Sequence, residues 1–169
     1  MNSTRGPRGA RRAGKRGEKR ARPAAVRITR LKRGAASSDR AVRRIVRAAL
    51  AFGGRPEASI GVVLMGDAAL AELHARFLGD PSPTDVIAFE LGEDGGLDGE
   101  ICCSVDCARR VARERGVPFE RELALYLVHG ALHLCGFEDD VPRARRRMRA
   151  AERAVLEVLG YPEDPLPHP

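Results

Sequence analysis

A single domain mixing α and β structure, of the α/β or the α+β class, is what this 169-residue sequence predicts. Three observations predict it. Four short apolar stretches of strand type are separated by segments with helical periodicity and helix-capping signals. One later segment, Leu123 to Cys135 (LALYLVHGALHLC), is apolar all round except for two histidines and a glycine, so it reads as the central buried helix of a globular core. The length suits one domain and is too short for two comfortable ones. No apolar run reaches the ~18 residues that a bilayer span requires, which excludes an integral membrane protein.

Charge divides the chain unevenly. Residues 1–33 hold ten Arg and three Lys against the single Glu18, a net +12, which leaves −5 for the rest of a chain whose total is +7. Residues 1–23 are Arg, Gly and Ala with almost no large apolar side chain. Such a segment cannot bury enough surface to offset its ordering entropy, so it is expected to be a disordered basic arm. It reads either as a tether to RNA or another polyanion, or as a solvated tail of a chain in which Arg outnumbers Lys 27 to 3. No apolar h-region marks a secretory signal, and the glycines, with no hydrophobic helix face, argue against a transit peptide. Cys102, Cys103, Cys107 and Cys135 are then expected to be reduced, and no C-x-x-C pair suggests a zinc ribbon. Five Phe, two Tyr and no Trp argue against a surface that stacks on many bases.

Residues 24–160 are expected to form the folded domain and 161–169 a flexible tail. Val26 to Leu31 reads as a strand with Val26 and Ile28 on one face. Ser38-Asp39 offers an N-cap for a helix to about Ala51, with Val42, Ile45, Val46, Ala49 and Leu50 inward, and Gly53-Gly54 stops it. Ala58 to Met65 is too short for a typical buried helix and reads as a buried strand. Asp67 is expected to cap a helix to about Phe77. After the break at Gly79 to Pro83, Thr84 to Leu91 is a third strand, Gly92 to Gly96 a turn, and Glu100 to Ser104 a fourth strand. Val105 to Arg115 is a helix, Phe119 to Cys135 the apolar one, and Gly136 its stop. Pro142 begins a strongly basic final helix with Met148, Val155, Leu156 and Leu159 inward. The order of the strands is not deducible from these patterns.

His129 and His133 are four residues apart on the apolar helix, so both imidazoles leave the same face one turn apart. That spacing chelates one metal ion. Gly136 lets the chain reverse, and Asp139 then swings back as a third ligand. From His129 the offsets are 0, +4, +7 and +10, the spacing of metzincin-type zinc sites. Three protein ligands leave a tetrahedral site open for water, as in catalytic rather than structural zinc. Two imidazoles on an apolar helix also cost free energy unless their nitrogens find partners. Zinc peptidases carry a general-base Glu directly after the first His, and this chain has Gly130 there, so peptide hydrolysis by that mechanism is disfavoured.

These residues carry a resemblance. HGALHLCGF at His129 to Phe137 resembles the His-Gly-x-Leu-His-Leu-x-Gly-Tyr-Asp-His signature of the YbeY-type rRNA maturation endoribonucleases. PTDVIAF at Pro83 to Phe89 is similar to that family's Pro-Thr-Asp-Val-Leu-Ser-Phe, and Gly99-Glu100-Ile101 to its Gly-Asp-Ile. The blocks agree in order and spacing, over about Val26 to Gly160, without the basic arm. The resemblance implies an α+β fold, a small mixed four-stranded sheet flanked by helices with a central buried metal-binding helix. It implies a zinc-dependent, single-strand-specific endoribonuclease with one Zn²⁺ per chain, held by His129, His133 and Asp139. Its implied role is maturation of the 3′ end of small-subunit (16S) rRNA and ribosome quality control, in the cytoplasm or a bacterium-derived organelle. The implied partners are precursor rRNA and the small subunit or its assembly factors.

The chain departs from that pattern at two places. Asp139 stands where the family usually has its third His, with Glu138 before it and Asp140 as the second choice of ligand. Leu78 stands where the family commonly has an Arg thought to meet the substrate phosphate, and Arg76 is two residues away. Glu138 is the candidate general base if the metal alone does not remove the proton. Thr84 and Asp85 read as a cap at the strand's start or as groups at the substrate. Arg143, Arg145, Arg146, Arg147, Arg149 and Arg153, with the basic arm, would collect the RNA backbone. Two other readings stand beside this one: a ribosome-biogenesis factor binding RNA or protein with structural zinc, and a metallopeptidase of unusual base.

Overall fold

The structure, a computed structural model, describes residues 24–32, 37–80, 82–91 and 97–161, with the Leu78 side chain not among what is described. The basic arm, the turn at 92–96 and the tail after Tyr161 lie outside the described residues. Four strands and five helices follow in the order β1 (Val26–Arg30), α1 (Asp39–Phe52), β2 (Ile60–Met65), α2 (Asp67–Leu78), β3 (Val86–Glu90), β4 (Gly99–Ser104), α3 (Val105–Arg115), α4 (Phe119–Leu134) and α5 (Pro142–Val158).

The strands form one mixed sheet in the order β1-β2-β4-β3. β1 pairs parallel with β2 and β2 parallel with β4, while β3 runs antiparallel to β4, with Ala88 opposite Ile101. The burial pattern explains why β2 and β4 sit inside. Both are buried on nearly every residue, whereas β1 and β3 keep the half-exposed pattern of edge strands. Cys102 and Cys103 point to opposite faces, as their alternation requires. Cys103 joins the main core with Ile101 and Leu127, and Cys102 packs with Met65, Leu70 and Ile87 beneath α2. Burial, with the Glu100 carboxylate, pushes the Cys102 thiol up to about 12, so it carries no thiolate chemistry at neutral pH.

From Leu123 onward α4 is apolar apart from its two histidines and glycine because other elements enclose it. It packs against β3 and β4 on the sheet and against α1, α3 and α5 around it. Gly130 makes the sheet contact possible, since a Cβ there would meet Ile101 Cγ2 at 2.9 Å and Val86 Cγ2 at 3.2 Å. One local expectation changes. Gly66, not Asp67, is the N-cap of α2. Asp67 accepts a hydrogen bond from the Ser104 hydroxyl and pairs with Arg110 at 2.7 Å, so its carboxylate ties α2 to the start of α3 instead of closing its own first turn.

Candidate metal centre

α4 holds both histidines rigidly because its backbone is enclosed, and the turn after it is local chemistry. Gly136 adopts φ +82°, the left-handed conformation that glycine enters without a Cβ penalty. The Phe137 amide donates to the Leu132 carbonyl at 3.1 Å and the Gly136 amide to the His133 carbonyl at 2.9 Å, closing the helix and reversing the chain. Two residues later the Asp139 carboxylate faces the imidazoles.

His129 Nε2 and His133 Nε2 are 3.0 Å apart, with ring planes nearly perpendicular. Asp139 Oδ2 is 3.7 Å from His129 Nε2 and its Oδ1 is 3.8 Å from His133 Nε2. One ligand atom from each residue lies within 4.8 Å of the others, the one such group of His, Cys, Asp and Glu among the described residues. A tetrahedral zinc with bonds of about 2.0–2.1 Å needs ligand atoms roughly 3.4 Å apart, and the observed separations bracket that edge. The donor set therefore fits a zinc ion.

Sequence reasoning missed the residue that orients the site. Glu152, on α5 and only 12 % exposed, places Oε1 2.6 Å from His129 Nδ1. A carboxylate accepting from Nδ1–H fixes the tautomer in which Nε2 offers its lone pair, the usual support of a metal-binding histidine. Burial is the largest influence on His129 and disfavours its charged form, yet the Glu152 bond and the carboxylates of Glu152, Asp139 and Asp85 together raise its pKa. His133 goes the other way: burial and the neighbouring His129 lower it. A sequence signal for Glu152 existed. It is a lone acid among arginines, beside the apolar stripe of Met148, Ala151 and Val155.

The remaining candidates separate clearly. Asp140 is exposed and its Oδ1 accepts from the Val141 amide at 2.9 Å, which leaves Asp139 as the carboxylate beside the rings. Glu138 is exposed and reaches the centre only through its charge on His133. Asp85 Oδ1 accepts from the Val86 amide at 2.8 Å as β3 begins, as a strand-start cap would, and the residue also lines the cavity beside His129. Thr84 makes only long contacts to Asp85 and Val86. Arg76 lies over the Phe77 ring, 5.6 Å from its centroid, and does not line that cavity. Leu78 closes α2, but its side chain is outside what the structure describes. Cys135 packs at the core's margin against Gly53 and is no ligand.

The cavity, of about 170 Å³, opens beside His129 and Asp139 and is walled on its far side by α5. It is too small for a folded substrate. A metal beside such an opening suits attack on one bond of a chain lying across the surface.

Known proteins match this chain over the same region. The family profile described as Endoribonuclease YbeY matches residues 28–160. The Endoribonuclease YbeY of Geobacter sulfurreducens is 34% identical over 128 residues, covering 71% of this chain and 85% of that one. The Endoribonuclease YbeY of Moorella thermoacetica is 38% identical over 125 residues, 67% of this chain and 80% of that one. A solution structure of a Thermotoga maritima protein superposes with a TM-score of 0.55 at 25% identity, covering 85% of this chain and 99% of that chain. With the profile running from within β1 through the rest of the sheet, the histidine helix and the helix behind it, this chain belongs to the YbeY endoribonuclease family.

Proposed function

We propose that the chain is a zinc-dependent, single-strand-specific endoribonuclease that matures the 3′ end of small-subunit rRNA and serves ribosome quality control. Family membership supports RNA cleavage as the activity. The convergence of His129 Nε2, His133 Nε2 and Asp139 on one point is the observation that supports a metal mechanism. One zinc ion held there would supply a Lewis acid for the phosphodiester and acidify a water. The chain's own groups do the rest. Glu152 holds the His129 ring in place. Removal of the water's proton falls to the metal itself or to Glu138 in this reading, and the arginines of α5 neutralise the RNA backbone.

The proposed catalytic domain is residues 24–160, with 1–23 as a basic arm and 161–169 as a tail. The proposed partners are precursor rRNA and the small subunit or its assembly factors, in the cytoplasm. No helix among the described residues is long and apolar enough to cross a membrane. A peptidase reading is opposed by Gly130. A Glu there would have to displace Ile101 and Val86, so that position has no room for a base.

Metal analysis joined to an RNA assay tests the reading. The purified chain should contain one zinc, and His133→Ala should lose it together with at least ~100-fold of the cleavage of single-stranded RNA. Protein without metal whose cleavage is indifferent to His133→Ala would overturn it. Glu138→Gln should slow cleavage with zinc retained, and an unchanged rate would remove Glu138 from the mechanism.

A further inference from the structure

Six arginines lie on α5, but helical geometry sorts them. Taking ~100° per residue, Arg145, Arg149 and Glu152 fall on one narrow stripe, beside the buried Met148. Arg143, Arg146 and Arg147 are turned away from it, and Arg153, one turn beyond Arg149, does not line the cavity beside the centre. Arg147 is spoken for, with its guanidinium 4.6 Å from the centroid of Phe137. The stripe is the one that faces the centre, because Glu152 on it binds His129. Arg145 and Arg149 accordingly line the cavity with His129 and Asp139. Arg145 is also anchored there, its Nε donating to the Asp139 carbonyl at 3.2 Å.

The carboxylates on the same wall are committed elsewhere. Asp139 faces both imidazoles, Glu152 holds His129, and Asp85 accepts from its own strand's first amide. The cationic donors that the wall presents to an incoming anion are the guanidinium groups of Arg145 and Arg149. Each guanidinium has five donors in a planar fork, so it keeps N–H groups for phosphate oxygens while other contacts are made. A pair one turn apart, i and i+4, can grip the two non-bridging oxygens of a single phosphodiester.

We propose that Arg145 and Arg149 form the subsite for the scissile phosphate, positioning one phosphodiester of single-stranded RNA against the centre of His129, His133 and Asp139. This rests on the metal-dependent RNA cleavage proposed above. It goes beyond general charge attraction, because it assigns two of six like charges to one phosphate and leaves the others to the rest of the backbone.

A probe with a single phosphate isolates the subsite from the field of the whole helix. Binding of a 2′-O-methyl dinucleoside monophosphate, which cannot be cleaved through its own hydroxyl, is measured by NMR titration of the zinc-loaded chain. R145Q/R149Q is compared with R143Q/R146Q, which removes the same charge from the other faces of α5. The stripe variant should lose about tenfold or more in dinucleotide affinity with one zinc retained. It should also lose single-turnover cleavage at saturating RNA. The off-stripe variant should weaken only long RNA, and do so more at low salt. Equal effects of the two variants in both assays, in a wild type that takes up zinc and cleaves, would overturn the subsite alone. A wild type that neither takes up zinc nor cleaves RNA would overturn the reading beneath it.

Discussion

Glu152 and His129 show how a single carboxylate decides what an imidazole can do. Without an acceptor at Nδ1, either nitrogen could carry the proton, and part of the population would present an N–H to the cation. The 2.6 Å bond to Glu152 removes that choice. Glu152→Gln should therefore weaken zinc binding about 10–100-fold, measured by competition with a chromophoric chelator, while the thermal melt of the metal-free chain stays close to wild type. Unchanged zinc affinity would mean that the carboxylate supports the fold and not the ligand. The centre is also built differently from a three-histidine site. With the anionic Asp139 as a donor, a metal held there would give a lower net charge, and a water bound to it would be a weaker acid.

At the scale of elements, α4 depends on lying close to the sheet, and α2 on a carboxylate shared between helices. Gly130→Ala puts a methyl 2.9 Å from Ile101 Cγ2, inside the contact between α4 and β4. Overpacking of this kind costs about 1–3 kcal/mol, and a denaturant melt should show it. A neutral result would mean that α4 can retreat from the sheet. Asp67 makes a pH prediction. Burial by itself would raise its carboxyl, but the Ser104 hydroxyl and the Arg110 guanidinium hold it below its ordinary value of 3.8. A folded-state pKa below the unfolded one stabilises the fold above pH 3.8 and stops doing so as pH falls through the folded value. The stability gap between wild type and Asp67→Asn should thus be constant near neutrality and vanish in acid. Because the pair is partly exposed, added salt should narrow the gap as well.

For the whole molecule, the question is whether the metal holds the fold together. The core that surrounds α4, from Val42 on α1 to Leu156 on α5, closes without any contribution from the centre. The imidazoles and Asp139 sit at its edge, partly exposed. Zinc should then stabilise only by ligand linkage, about 4 kcal/mol at a thousandfold excess over its Kd. Chelation is expected to lower the melting temperature while the far-UV circular dichroism at 25 °C stays unchanged. Loss of helical signal on chelation would instead favour a structural zinc and the reading of the chain as a biogenesis factor that binds without cutting.

Much of this was legible in sequence because much of it is local. Strand and helix periods, the Ser38 cap, and the pair His129 and His133 one turn apart all depend on residues near one another in the chain. The Gly136 turn that returns Asp139 is equally short-range. Asp67 is no cap because its partners, Ser104 and Arg110, come from elements far along the chain, which no local pattern reveals. Sequence by itself thus determined the elements, the two histidines and the turn that returns an acid to them, since each follows from spacing within a turn or two. The choice of Asp139 over Asp140 needed the structure. Only the tertiary structure decided the β1-β2-β4-β3 order and which stripe of α5 meets the centre. Strand pairing joins remote segments that look alike in composition. The rotation of α5 about its axis is set by how Met148, Ala151, Val155 and Leu156 fill the space beside α4. That packing is what carries Glu152, Arg145 and Arg149 to the cavity.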